Sequence, residues 1–491
     1  MLGLNGLSPK HYGIGIAAIV CLSASLRFWQ LGRFNVLVFD EIYFVKFAQA
    51  YLAGVPEFDA HPPLGKYLIA VGIWLSAYIL PIDADTAYRL VPGVALPAFG
   101  YRWMNALVGC LIPLVVMGIA QTVDTRKTDA RKGIDKRFTF SLLAGGFVAI
   151  DGLFIAESRY ALINVYVVFF GLLSHWLWLR SGGLSGQKKT FTSHALRVLS
   201  AVAIALSIAV KWNGLGYLLS LFIWEIWRVN ITTNTRAKRF SKPKSGQAKF
   251  GQFRSSQFKS RLIAQGLFQG GIYGLLIPLL TYSLVWWPHL HLTGQGFIPL
   301  HTTLITFHRH LQTDHIACSS WASWPLLIRP VAYWYETTSR GVHTVTNMGN
   351  PVLWWLAIAA IILFLVESIA SLKNRFTDKK YRADNKQSTD SGFRNMSAYL
   401  LISYASNWLP WIFVSRCTYL YLFMPAAVFG FMALAWLLSE WLHSASESVR
   451  TIGWAMLGAI ALSAVFWLPL NLGSPLSPEA LQVRWWIPSW R

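Results

Sequence analysis

Apolar positions in this chain run in long blocks rather than in stripes. The blocks fall at 12–31, 102–121, 139–157, 160–179, 197–211, 214–228, 264–286, 351–371, 397–415, 418–440 and 452–471. A helix needs about 20 apolar residues to cross the hydrocarbon layer of a bilayer, so each block predicts a membrane span. The stretches 197–211 and 214–228 are short and read as tilted or shifted spans. The block 64–80 is also apolar, but it is shorter than a comfortable span and framed by prolines. It predicts a helix that lies on the membrane surface or dips into it. Two long segments, 32–101 and 287–350, separate spans without being simple linkers. The second is rich in aromatics, His and Pro, which predicts ordered surface structure rather than a tail.

Loop charge then orients the spans. Arg126, Lys127, Arg131, Lys132, Lys136 and Arg137 crowd 122–138, Lys and Arg recur through 229–263, and Lys373, Arg375, Lys379, Lys380, Arg382 and Lys386 fill 372–396. These loops share one side if 64–80 does not span. The positive-inside rule makes that side cytoplasmic. The prediction is an all-α polytopic membrane protein of about eleven transmembrane helices, with surface helices in its outer loops. Its N-terminus is inside, and 32–101 and 287–350 share the outer face. The whole chain, 1–491, reads as one integral membrane unit, and the first block as a retained helix rather than a cleaved signal. The polar stretch 229–263 reads as a flexible linker.

Composition supports this. The chain is 54% hydrophobic and 13% charged, against about 25% charged in a soluble domain. Its 24 tryptophans suit a protein with many helix ends at two interfaces. A formal charge of +22 would suggest nucleic acid in a soluble protein. Here it sits in short loops, where it serves orientation and anionic lipid, so no nucleic-acid partner is expected. The four cysteines form no CxxC pair. Cys318 and Cys417 both fall on the outer side and are candidates for a bond, although sequence does not give their separation.

The candidate chemistry opens the first outer segment. Asp40 and Glu41 are adjacent, and side chains at successive helical positions point about 100° apart. One acid can therefore act on a substrate while its neighbour binds an Arg, a Lys or a metal. Outside the membrane the candidate anion clamps are Lys66, Arg102, Lys211, Arg329 and Arg416, because Arg and Lys are the usual partners of phosphate. Lys211 and Arg159, near helix ends, would also suit a transporter or flippase. The absence of an internal repeat and the placement of charge at helix ends speak against that class. His61 precedes two prolines and either shapes the loop or touches sugar or phosphate. His289, His291, His301, His308, His310 and His315 match no closed zinc spacing, so no metal site is assigned. They are expected to offer polar contacts. Trp321 and Trp324 either stack on a sugar or lipid, or anchor the loop at the interface.

The stretch "FDEIYFVKFAQAYLAGVPEFDAHPPLGKYL" at 39–68 resembles the first outer loop of the protein O-mannosyltransferases. Further blocks follow in that family's order: "YRWMNALVG" at 101–109, "AIDGLFIAESRYALINVYVVFF" at 149–170 and "AVKWNGLGYLL" at 209–219. "SSWASWPLLIRPVAYWYE" at 319–336, "GNPVLWWL" at 349–356 and "ASNWLPWIFVSRCTYLYLFMP" at 405–425 complete the set. The resemblance implies a membrane glycosyltransferase of GT-C type with its site on the outer face. It implies a polyprenyl-phosphate mannose donor and transfer to Ser or Thr of secreted or membrane proteins, with the translocation machinery as a neighbour. It further implies Asp40 as the catalytic base, Glu41 as its partner, and Arg102 as a group tied either to the donor phosphate or to the acid pair. Phosphate is a good leaving group, so one carboxylate base suffices. A glycosidase needs a paired acid as well. Another lipid-linked sugar, or a lipid acceptor, fits the same residues. Two departures stand out. Asn164 occupies a position where many relatives carry Asp, which weakens any expectation of a divalent metal. The 287–350 loop is also too short for the soluble domain inserted in fungal and animal relatives, so the chain resembles the compact bacterial form. A bacterial inner membrane is the expected location.

Overall fold

The computed structural model describes residues 9–79, 96–124, 126, 135–183, 190–240, 269–311, 315–377 and 389–491. Helices occupy all the expected span positions: α1 (Pro9–Phe28), α4 (Ala98–Val123), α5 (Lys136–Ile150) with α6 (Gly152–Arg159), α7 (Asn164–Arg180), α8 (Phe191–Val210) and α9 (Leu215–Phe240). They continue with α10 (Ile277–Thr293), α12 (Pro351–Thr377), α13 (Thr389–Trp408), α14 (Met424–Leu442) and α15 (Glu447–Leu472). Among the described residues, seven helices are long and apolar enough to cross a membrane, or eight if the bent pair α5–α6 is one span. The expected count of about eleven therefore stands above what length and composition alone establish.

Helix α14 is apolar on every face, "MPAAVFGFMALAWLLSEWL", and is accordingly almost wholly buried. It packs against α5, α12, α13 and α15, while α4 packs against α1, α5 and α7. Helices α1 and α10 lie at the periphery, with apolar side chains left facing outward, as lipid-facing helices do.

Four expectations are corrected. The block 139–157 is not one straight span: α5 and α6 meet at a bend of 56°. Asp151 causes it by capping the new helix, accepting from Leu153 N at 3.1 Å and Phe154 N at 3.3 Å. Its other oxygen takes Asn350 N at 2.9 Å and Trp354 Nε1 at 2.8 Å. Gly152 completes the corner, since a Cβ there would stand 2.2 Å from Met348 O. Second, the second outer loop holds strands as well as a helix. Strands β1 (Val331–Thr338) and β2 (Gly341–Asn347) form an antiparallel hairpin in the second outer loop, with a register break between Ala332 and Trp334. Alternation was hidden there because aromatic and polar residues share both faces. Third, the stretch 229–263, expected as a linker, begins as helix, because α9 runs on to Phe240 through residues such as Arg236, Ala237 and Lys238 that extend a helix readily; its remainder, 241–263, lies outside the described residues. Fourth, the block 397–415 does not stay helical. Helix α13 starts earlier, at Thr389, and gives way to a 3-10 turn at Leu409–Phe413, where Pro410 removes a backbone donor.

The first outer loop folds into α2 (Glu41–Ala53) and α3 (Leu64–Ile79). Gly54 ends α2 in the left-handed region at φ 67°, its N–H returning to the last carbonyls. Helix α3 starts directly after Pro62 and Pro63 and packs on α2 and α4. In the second loop, α11 (Phe297–His310) precedes the hairpin, meeting the expectation of a surface helix.

Candidate active site

The adjacent acids have opposite surroundings. Glu41 is fully buried. Its Oε1 accepts from Arg102 Nε at 2.8 Å and Ala161 N at 2.7 Å, and its Oε2 from Arg102 Nη2 at 2.6 Å and Val38 N at 2.8 Å. Arg102 also donates to the carbonyls of Leu31 at 3.2 Å, Phe34 at 2.8 Å and Val36 at 2.8 Å. All five guanidinium donors are thereby engaged. Of the two readings of Arg102, the geometry is that of a clamp on the acid pair.

Asp40 begins α2 without capping it, and its carboxylate accepts no hydrogen bond among the described residues. It is partly buried and faces Lys211, Asp59 and His315. Burial pushes it up to about 6, against the opposing pull of Lys211. The preceding residue, Phe39, sits at φ 52°, a conformation few non-glycine residues adopt. Its ring stacks on Tyr333 with centroids 4.2 Å apart.

Beside Asp40 opens a cavity of about 1350 Å³ between α8, α9, the segment before α10, α11 and the turn 406–416. Its mouth carries His61, Lys211, His308, Arg309, Ser415 and Arg416. Its depth is lined by Ile204, Leu218, Leu221, Phe222 and Ile226. Lys211 Nζ donates to Asn164 Oδ1 at 3.2 Å and lies 5.2 Å from the centre of the Tyr421 ring. Burial first, and then Lys211 and Lys66, push His61 well below the usual imidazole range, so it is neutral. Its ring stacks on His308, which donates from Nε2 to Ala60 O at 2.8 Å. The combination is a cationic and imidazole-lined mouth above an apolar trough. It suits an anion joined to a long hydrocarbon chain.

The other predicted residues lie elsewhere. Lys66 is buried and pairs with Asp59, donating to His61 O at 2.8 Å and Pro62 O at 2.6 Å, so its ammonium staples the loop. Arg329 is exposed and donates to the carbonyls of Ile316 and Cys318, both at 3.2 Å. Trp324 is buried, with Nε1 donating to Ser319 Oγ at 2.9 Å. Trp321 packs on Trp408 at 5.3 Å. Neither lines the cavity. Arg159 holds the last carbonyls of α1, including Leu26 O at 3.0 Å and Trp29 O at 2.8 Å. Among the described residues no three His, Cys, Asp or Glu side chains gather as a metal set.

Two features had no functional reading in the sequence. Cys318 and Cys417 are bonded, with Cα atoms 5.2 Å apart. The bridge, with Ser319 N to Thr418 O at 2.8 Å, fixes the turn that carries Arg416. The other is Glu157, fully buried on α6. Its position inside an apolar block was the available signal, since a buried carboxylate in a span is costly unless it has a role.

Fold and site together define a polytopic membrane glycosyltransferase that takes a lipid-borne anionic donor. The comparisons make this specific. Residues 17–293 match the family model described as dolichyl-phosphate-mannose-protein mannosyltransferase, and residues 293–490 match that of the C-terminal four-span region of protein-O-mannosyltransferase. The chain belongs to the protein O-mannosyltransferase family. It is 23% identical to the polyprenol-phosphate-mannose–protein mannosyltransferase of Mycolicibacterium smegmatis, over 97% of this chain and 92% of the relative. It is also 23% identical to the enzyme of the same name from Mycobacterium tuberculosis, over 96% and 91%. Among solved structures, the S. cerevisiae Pmt1–Pmt2 complex bound to the sugar donor shares its fold, with a TM-score of 0.79 and 15% identity over 99% of this chain and 94% of that one.

Proposed function

We propose that this enzyme transfers mannose from polyprenyl-phosphate mannose to Ser or Thr hydroxyls of proteins on the outer face of a bacterial inner membrane, with inversion. The observation that carries the reading is the unengaged carboxylate of Asp40 beside a cation-lined mouth above an apolar trough. The polyprenyl chain lies in the trough, and its phosphate meets Lys211 and Arg416. Asp40 takes the proton of the acceptor hydroxyl as its oxygen attacks the anomeric carbon. The phosphate leaves from the opposite face with the bonding pair, its charge met by the cations, so no proton donor is needed. Glu41 and Arg102 hold the start of α2 in place, because a misplacement of about 1 Å at a catalytic group can cost roughly 10²-fold. Acceptors reach the site from the outer face as unfolded segments, next to the translocation machinery. The chain acts as one integral membrane unit.

The test is transfer in purified membranes, with labelled polyprenyl-phosphate mannose and a Ser/Thr-rich peptide, comparing wild type with Asp40→Asn. Labelled peptide from wild type and none from the variant is the expected result. Equal transfer by both removes Asp40 from the mechanism. A donor that is bound but never transferred by wild type, while another lipid-linked sugar is, overturns the assignment of mannose.

A further inference from the structure

We propose that Glu157 is a positioning residue for the transfer step, one carboxylate that sets both the base Asp40 and the cation Lys211. The inference rests on the reading of Asp40 as base. Glu157 sits within α6, the half-helix that Asp151 breaks from its span, and it has two arms. In the first, Oε2 accepts from Asn164 Nδ2 at 3.1 Å, and Asn164 Oδ1 in turn accepts from Lys211 Nζ at 3.2 Å. The amide can relay in this way because it has one donor end and one acceptor end. In the second arm, Oε1 accepts from Tyr333 Oη and from Asn347 Nδ2 at 3.1 Å. Tyr333 stacks on Phe39 at 4.2 Å and an interplanar angle of 11°, and Phe39 is joined to Asp40.

Tyr333 also lies where the register of the hairpin breaks, between Ala332 and Trp334. Such breaks re-aim a side chain, here a phenol directed away from the ladder and into the bundle. The left-handed backbone of Phe39 needs surrounding contacts to hold it, and the Tyr333 ring supplies one. The hairpin therefore reaches the base through a ring, and α7 reaches the cation through an amide. Both routes end on the same buried carboxylate. Both Glu157 oxygens accept hydrogen bonds, from Asn164 on one side and from Tyr333 and Asn347 on the other. It does not line the cavity and does not touch the reacting atoms.

A carboxylate in this place holds the cation as well as the base. The groups facing Asp40 are Lys211, Asp59, His315, Glu157, Tyr419 and Tyr421. Among them Glu157 alone is tied to Lys211 by a hydrogen-bonded relay. Glu157→Gln keeps the outline but weakens the relay's hold on Lys211, whose other close acids are Asp40 and Asp59. A loosened cation meets the charge that develops on the leaving phosphate less well, so the loss falls mainly on kcat.

The experiment measures kcat and the donor KM in Glu157→Gln, which keeps the shape and loses the carboxylate. Tyr333→Phe and Asn164→Ala accompany it, and all are normalised to folded enzyme by size-exclusion and thermal unfolding. In Glu157→Gln the expected result is a kcat lowered about tenfold or more with the donor KM changed less. Tyr333→Phe lowers kcat less, because the arm to Lys211 remains. Wild-type kcat in Glu157→Gln, or a change confined to KM, overturns the inference. So does a loss that follows only the amount of folded protein. If Glu157→Gln does not fold, the other two variants decide: reduced kcat per folded enzyme supports the inference, and normal kcat in both overturns it. Asp40→Asn is run alongside. Full activity in that variant sinks the reading of the base itself, whereas an inactive Asp40→Asn with an unchanged Glu157→Gln sinks only the positioning role.

Discussion

Helix α4 joins two charged clusters of opposite character. Near its start Arg102 meets Glu41 close to Asp40, Lys211 and Arg416. Just past its end, roughly 33 Å away by helical rise, Asp124 meets Arg126, which also pairs with Glu440, and Lys136 joins the same carboxylate at 2.7 Å. At the second cluster each of these acids has a basic partner, and Lys136 and Glu440 remain about a third exposed. At the first, one pair is saturated and dry, and immediately beside it the Asp40 carboxylate has no hydrogen-bond partner among the described residues. A satisfied ion pair builds structure. A carboxylate held in place by its neighbours but left without donors of its own is available for chemistry.

The largest effect should follow from removing the available carboxylate. Asp40→Asn is expected to lower transfer by about 10²–10⁴-fold with little change in thermal unfolding. The base works only when deprotonated, and burial raises Asp40 to about 6. The wild-type rate should therefore be level above pH 6 and fall about tenfold for each unit below it, a limb that a pH profile of kcat/KM reads directly. Next comes the saturated pair. Arg102→Ala leaves Glu41 buried without its partner and should cost about 3–5 kcal/mol of stability, seen as a lowered unfolding midpoint in detergent. An unchanged midpoint would blur the distinction between the two acids. Arg416→Ala removes a cation from the cavity mouth. It should raise the KM for the lipid donor about tenfold or more, the size of a charge-assisted hydrogen bond, with the unfolding midpoint unchanged. Smallest is Lys136→Ala in the opposite cluster. Glu440 keeps Arg126, and the pair is partly solvated, so the cost should be about 0–1 kcal/mol with normal transfer. A large loss there would show that both ends of α4 matter alike.

Much of the site was legible before folding because it is local. Asp40 and Glu41 stand next to each other, and their divergence follows from helical geometry. The apolar blocks and basic loops marked the helices because a bilayer imposes the same test on every span. Lys66, Arg329, Trp321 and Trp324 had the right chemistry for a ligand, but nothing in their sequence separation said that other groups would occupy them first. Lys66 is held by Asp59 and two carbonyls, and Trp324 by Ser319. Glu157 was passed over for the converse reason. Its partners Tyr333 and Asn347 lie 176 and 190 residues away, in a hairpin that the apolar pattern did not disclose.

The class of the protein, the approximate places of its helices and the acid pair that opens the first outer loop can be read from the chain alone. Those follow from periodicity, composition and short-range spacing, which a linear chain displays. Only the tertiary structure decided which acid stays free, which cations face the cavity, that Cys318 meets Cys417, and that Glu157 links the hairpin to Lys211. Each of these depends on which donors and acceptors converge across distant segments. A buried polar group takes whatever partner packing brings within about 3 Å.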